Sequence, residues 1–264
     1  MKQNILLIEK LVSAFPHRPV YYFSYDFRRS CEDTAEEFAA FLRRNGISRI
    51  DIVCHSMGGL VLASYAAKYG LDKVRKIVCL AVPFEGTPLM SQVLITGDVF
   101  MLSESVSEML GLSRDVIRAY PAAADLLPSE EYQVAFPLMR DGNVLSASET
   151  ADFYARLLPK TYVQSRIRQR ILHEQGYNRL LTQPDCYFGI STGKSTIKTL
   201  SLRTGKAPEE IRDSGGDGEV PYFSAAMGGK LETLGCGRVM CFDCRHSEMT
   251  KFFAPLQWTI DKLL

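Results

Sequence analysis

No apolar run in this chain approaches the roughly 18 residues that a membrane-spanning helix needs, so no span is expected. Net charge is nearly absent. There are 31 Lys and Arg against 30 Asp and Glu, giving +1, which makes no case for nucleic acid as a partner. No internal repeat or low-complexity tract is present, so a solenoid is excluded. The N-terminal Ile5–Ile8 run is broken by Glu9-Lys10, too early for a secretory leader. Seven cysteines is an odd number, which excludes complete internal pairing. Free thiols in a reducing cytoplasm are expected. Cys236, Cys241, Cys244 and His246 raise a zinc site. On a strand their side chains would alternate in direction, so no metal and no cofactor is expected. Gly189-Ile190-Ser191-Thr192-Gly193-Lys194-Ser195 looks like a phosphate-binding loop but has three residues between its glycines instead of four.

What is present fits one enzyme domain. The 264 residues are 46% hydrophobic, enough for a sizeable core. Strand-like and helix-like segments alternate, which implies an α/β protein with a mostly parallel sheet flanked by helices. Pro19 to Phe27 reads as a strand. Thr34 to Arg44 reads as a helix, with Thr34 and Glu37 as a capping box and Gly46 at its end. Ile50 to Cys54 and Lys76 to Val82 read as the next strands. Regularity then breaks between about 89 and 184, in a mostly helical stretch read as a cap inserted into a single domain, 1–264. Asp185–Ile190 and Arg238–Phe242 read as late strands, with a last helix near Leu256 to Leu264.

The chemistry centres on Cys54-His55-Ser56-Met57-Gly58-Gly59. These residues follow the apolar run Ile50-Asp51-Ile52-Val53 and precede Leu60-Val61-Leu62-Ala63. Strand, sharp turn holding a serine, then helix is the setting of a nucleophile elbow. Strand and helix nearly touch there, so small neighbours are needed; Gly58 is the expected close-contact position. A serine needs a base and a carboxylate to orient that base, and the fold type orders them Ser, acid, His. Only four histidines exist. His17 precedes the serine, the side chain of His55 is expected to point elsewhere, and His173 lies in a basic helical stretch. His246 follows the last strand and is the expected base. The acid should lie in Asp213-Ser214-Gly215-Gly216-Asp217-Gly218-Glu219. Asp217 is favoured by its flanking glycines, with Asp213 and Glu219 as rivals.

At this point the residues resemble a family. Tyr25-Asp26-Phe27-Arg28, His55-Ser56-Met57-Gly58-Gly59, Pro83-Phe84-Glu85-Gly86-Thr87-Pro88, Leu126-Leu127-Pro128-Ser129, Gly216-Asp217-Gly218-Glu219-Val220-Pro221 and His246-Ser247-Glu248 follow one another as in the lecithin–cholesterol acyltransferase-like lipases of the α/β-hydrolase fold. The resemblance implies Ser56 as nucleophile, Asp217 as acid, His246 as base, and a lipid or other ester as substrate. The backbone N–H of Met57 would be one oxyanion donor. The second donor usually comes from a Gly-containing loop upstream of the first helix. Here Asn4 to Phe15 reads as that helix, and no glycine precedes Gly46. Either that loop lies outside residues 1–264, or another backbone N–H takes its place, or the protein is impaired; the strand position beside Pro19–Phe27 or the nucleophile strand is expected to be empty or filled from elsewhere. Losing one oxyanion donor costs about 3 kcal/mol of transition-state stabilisation. The alternative reading is thus a catalytically impaired hydrolase-fold protein that binds lipid or a protein partner. Arg156 to Arg179 is Arg-rich, with Val163, Ile167 and Ile171 on one helical face; such a face can contact an anionic membrane surface. Nothing in the pattern sets an oligomeric state.

Overall fold

The computed structural model describes residues 4–98, 114–235 and 237–264. Its main sheet is parallel, built from β1 (Ile50–His55), β2 (Val74–Leu80), β5 (Cys186–Thr192) and β8 (Val239–Asp243), in that spatial order. A second sheet joins β3 (Met139–Arg140), β4 (Asn143–Val144), β6 (Lys194–Leu202) and β7 (Glu209–Gly216) in the order β4-β3-β6-β7. The β6–β7 pair is antiparallel, an element the sequence reading did not separate from the main sheet. The phosphate-loop look-alike falls on the tight turn between β5 and β6, where Gly193 takes φ 80°, and not before a helix.

Helix α1 (Ile5–Ala14) sets Leu11 and Phe15 against Val53, Leu80 and the C-terminal helix Phe253–Leu263. Helix α2 (Cys31–Arg44) begins earlier than expected. Its N-cap is Ser30, whose hydroxyl accepts from the Asp33 N–H at 3.1 Å. Thr34 instead donates to the Ser30 carbonyl, so Thr34–Glu37 is not the capping box. The predicted strand Pro19–Phe27 has no sheet pairing among the described residues. It runs over α2, with the Phe23 ring packed at a tilt against Phe38 and Phe41, centroids 5.2 and 5.4 Å away. An aromatic, β-branched run favours a strand only where a partner supplies ladder bonds. Within the described residues β1 pairs with β2 alone, so the strand carrying the serine lies at the sheet edge.

Helix α3 (Met57–Tyr69) packs its small residues on the sheet. The tight point is Gly59, where a Cβ would meet Val82 Cγ2 at 2.2 Å. A Cβ on Gly58 would make only ordinary contact, 3.6 Å from Cys54 Cβ. The close-approach glycine is therefore the second one. The five buried thiols Cys31, Cys54, Cys79, Cys186 and Cys244 and the exposed Cys241 are all free. Cys54 and Cys79 face each other at 3.5 Å, and Cys236 lies outside the described residues.

Between Pro88 and Thr182 the regular elements of the described residues are helices apart from the β3–β4 hairpin. This stretch is fastened to the core by backbone pairing. The Thr87 N–H donates to the Leu126 carbonyl and the Ser129 N–H to the Glu85 carbonyl, both at 2.9 Å. Gly86 (φ 72°) is required there, because a Cβ would lie 2.1 Å from the Leu127 carbonyl oxygen. Helix Tyr162–Ile171 turns its polar side inward. Ser165 donates to the Ala124 carbonyl, Gln169 to the Leu127 carbonyl, and Arg168 pairs with buried Asp125. The face of Val163, Ile167 and Ile171 therefore points outward, at 63%, 48% and 38% exposure.

Candidate functional site

Three loops, each following a strand of one of the two sheets, converge on Ser56. The first is the elbow itself. Ser56 takes φ 55°, ψ −133°, a backbone region that costs a non-glycine residue about 1–3 kcal/mol. Its N–H is held by the Leu80 carbonyl at 2.9 Å, which locks the turn at the end of β1. Met57 is the first residue of α3, so its N–H has no acceptor within the helix.

The second loop follows β8. His246 is buried, and its Nε2 lies 2.8 Å from Ser56 Oγ. Its own N–H donates to the Asp217 carbonyl at 3.0 Å, tying the two residues through the backbone as well. The third loop follows β7. Asp217, also buried, sets Oδ2 2.7 Å from His246 Nδ1. Its Oδ1 accepts from the N–H groups of Glu219 at 3.0 Å and Val220 at 2.7 Å. Gly218 (φ 98°) makes this tight turn possible. A carboxylate holding three hydrogen bonds is fixed in position, and charge-assisted bonds of this kind are worth about 1.5–3 kcal/mol each. The structure thus brings Ser56, His246 and Asp217 into one hydrogen-bonded chain. Of the rival acids, Asp213 lies on β7 and pairs with Lys198 at 3.2 Å. Glu219 comes within 3.9 Å of His246 Nε2.

Burial alone would lower the pKa of His246. The hydrogen bond and charge of Asp217, with Glu219 adding, outweigh it, and the net direction is upward from 6.5. His55 moves the opposite way. Burial, then the neighbouring His246, push it down to about 4. It is therefore neutral near neutral pH and donates from Nε2 to the His246 carbonyl at 3.1 Å, with the two rings 4.8 Å apart. The sequence reading directed this side chain elsewhere. Its position at the end of β1, facing the loop after β8, became visible only once strand order was known.

The zinc group raised from the sequence does not assemble among its described members. Cys244 Sγ contacts Ser191 Oγ and Met249 Sδ, Cys241 is exposed, and both ring nitrogens of His246 are engaged. A cleft formed by Ile95, Arg140, Phe153, Leu202 and Arg203 lies apart from Ser56. Among the described residues no helix is long and apolar enough to cross a membrane.

A family profile described as alpha/beta hydrolase fold matches residues 14–109. Lecithin-cholesterol acyltransferase-like 4 of Arabidopsis thaliana is 30% identical over 94 residues, which are 32% of this chain and 18% of that protein. The match therefore spans less than a fifth of the curated relative. The crystal structure of a Tle4–Tli4 complex superposes with a TM-score of 0.58 at 14% identity, covering 90% of this chain and 66% of that one, a likeness of fold. On its parallel sheet, its elbow and these matches, the chain has the α/β-hydrolase fold, and over part of its length it is similar to a lecithin–cholesterol acyltransferase-like protein.

Proposed function

We propose that the protein is a serine hydrolase or acyltransferase acting on a lipid ester through an acyl-enzyme. The observation that carries this reading is the unbroken path from Ser56 Oγ through His246 to Asp217, at 2.8 and 2.7 Å. Ser56 attacks the ester carbonyl while His246 Nε2 takes its proton. The imidazolium is stabilised by Asp217, and the tetrahedral oxyanion is received by the Met57 N–H at the start of α3. His246 then returns the proton to the departing alkoxide. Water or a second alcohol, deprotonated by His246, releases the acyl group. His55 is a positioning residue, holding the base loop through its carbonyl. Hydrolysis of p-nitrophenyl esters of increasing chain length by wild type, with Ser56→Ala as control, tests the reading. Activity that rises with chain length and vanishes in the variant supports it. Hydrolysis unchanged in the variant removes it.

The raised pKa of His246 has a consequence with a definite sign. The base works only when neutral, so kcat/KM falls as pH drops through that pKa, and the acidic limb lies above 6.5. Glu219 is one of the groups that raise it. Glu219→Gln should therefore shift the limb to lower pH and leave the plateau rate within a few-fold of wild type. A limb that stays put, or moves upward, contradicts the electrostatic assignment.

The outward Val163, Ile167 and Ile171 stripe lies with exposed Arg156, Lys160, Arg170 and Arg179 nearby in the chain. This supports contact with an anionic lipid surface, the setting in which such a substrate is found. Burying one aliphatic side chain in an apolar phase contributes about 1.5–3 kcal/mol. Changing Val163 and Ile167 both to Asp should weaken co-flotation with vesicles containing anionic lipid at least about tenfold. Because both side chains are exposed, the fold should be unaffected. Equal flotation of the variant and the wild type would rule this surface out.

A further inference from the structure

Away from Ser56, one buried carboxylate is poorly served. Glu85, on the loop after β2, is fully buried. Its Oε2 accepts from the Ser129 hydroxyl, but Oε1 has no hydrogen-bond partner. Beside it stands His173, in the π-helical turn Leu172–Gly176. His173 Nε2 is 3.1 Å from Glu85 Oε2, and Nδ1 is 3.3 Å from Glu131 Oε2. Although so close, Nε2 lies out of line for a hydrogen bond and is also without a partner. Glu85, Glu131 and His173 each offer a ligand atom, all within 4.8 Å of one another. Gly228 leaves space on the same side. A Cβ there would meet Glu131 Oε1 at 3.0 Å and Glu85 Oε1 at 3.6 Å. Lys230 reaches Glu131 Oε2 at 3.0 Å.

Glu85 Oε1 and His173 Nε2 are both buried without a hydrogen-bond partner, on side chains that approach to 3.1 Å at Oε2 and Nε2, and a cation beside them would serve both. A proton on Nε2 would serve only Oε2, and the geometry is off the line such an N–H needs. A metal ion can take both lone pairs. We propose that Glu85, Glu131 and His173 form a binding site for a first-row divalent cation, zinc in particular. One imidazole with two carboxylates suits zinc better than the all-oxygen ions calcium and magnesium. Tetrahedral zinc needs ligand atoms about 3.4 Å apart, given metal–ligand bonds near 2.1 Å. The cluster must therefore draw in by about an ångström. Glu131, with 42% of its side chain exposed, can supply that movement. The fourth position is left to water. The three residues come from the loop after β2, the helix Glu130–Ala135 and the π-helical turn. The ion would tie the inserted helices to the core, independently of any chemistry at Ser56.

The test is calorimetric titration of chelator-stripped full-length protein with zinc chloride, followed by cobalt substitution. One ion per chain is expected, with affinity at least tenfold weaker in His173→Gln and in Glu131→Gln. Visible cobalt bands should be present in wild type and lost in His173→Gln. Glu85→Gln should also lose the ion; where that buried change prevents folding, the half-exposed Glu131→Gln decides. An absence of zinc binding overturns the site. So does one-ion binding unchanged in both variants, or a thiolate-to-cobalt charge-transfer band, which would assign the metal to cysteines.

Discussion

Ser56→Ala should lower ester hydrolysis by about ten-thousandfold to a millionfold in kcat, the range seen when the nucleophile of a triad is removed. The change deletes one oxygen and nothing else of consequence. The residue remains at φ 55°, where alanine is as strained as serine, so stability should alter by less than about 1 kcal/mol. The residual rate would come from whatever oxyanion stabilisation the Met57 N–H provides. Paired measurements of kcat and thermal unfolding separate the two effects. A large loss of activity with an unmoved Tm is the expected pattern. Retention of more than about a tenth of kcat would mean that Ser56 is not the nucleophile.

Asp217→Asn should cost about ten-thousandfold in kcat, by a different route. The Asp217 carboxylate accepts from His246 Nδ1 at 2.7 Å while its other oxygen holds the Glu219 and Val220 N–H groups. Asparagine keeps one acceptor oxygen. If that oxygen stays on the two backbone N–H groups, the amide NH2 faces His246 Nδ1. The ring must then become an acceptor at Nδ1 and carry its proton on Nε2, the wrong tautomer for taking a proton from Ser56. Asp213→Asn is the control. Asp213 pairs with Lys198 on the surface of β7, and its loss should leave kcat within about twofold, because exposed ion pairs contribute at most about 1 kcal/mol. Equal damage from the two substitutions would show that the acid had been misassigned.

The residues of the candidate site were legible in the sequence because each sits in a short loop after a strand, and chain order limits which loop can supply which group. With four histidines and one elbow, few arrangements remained. Asp217 stood out over Asp213 and Glu219 through glycines on both sides, and Gly218 does take the positive φ that the turn needs. What the sequence hid depended on packing. Gly58 and Gly59 are equivalent as letters, and only the position of Val82 makes Gly59 the crowded one. Pro19–Phe27 has the composition of a strand, but composition does not supply a neighbouring strand. The periodicity of Tyr162–Ile171 announced two faces. Which face met the protein was decided by carbonyls of residues 124–127, reached by Ser165 and Gln169. His173 shows the same limit, because its carboxylate neighbours come from distant parts of the chain.

The most direct test of the central claim is covalent labelling with a fluorophosphonate, followed by peptide mapping. The reagent reports an activated serine whatever the natural ester. A single adduct on Ser56 is expected, absent from Ser56→Ala and slowed by orders of magnitude in His246→Ala. Folded wild-type protein that takes no label, or label that persists elsewhere in Ser56→Ala, would contradict the claim that Ser56, His246 and Asp217 act together on an acyl group.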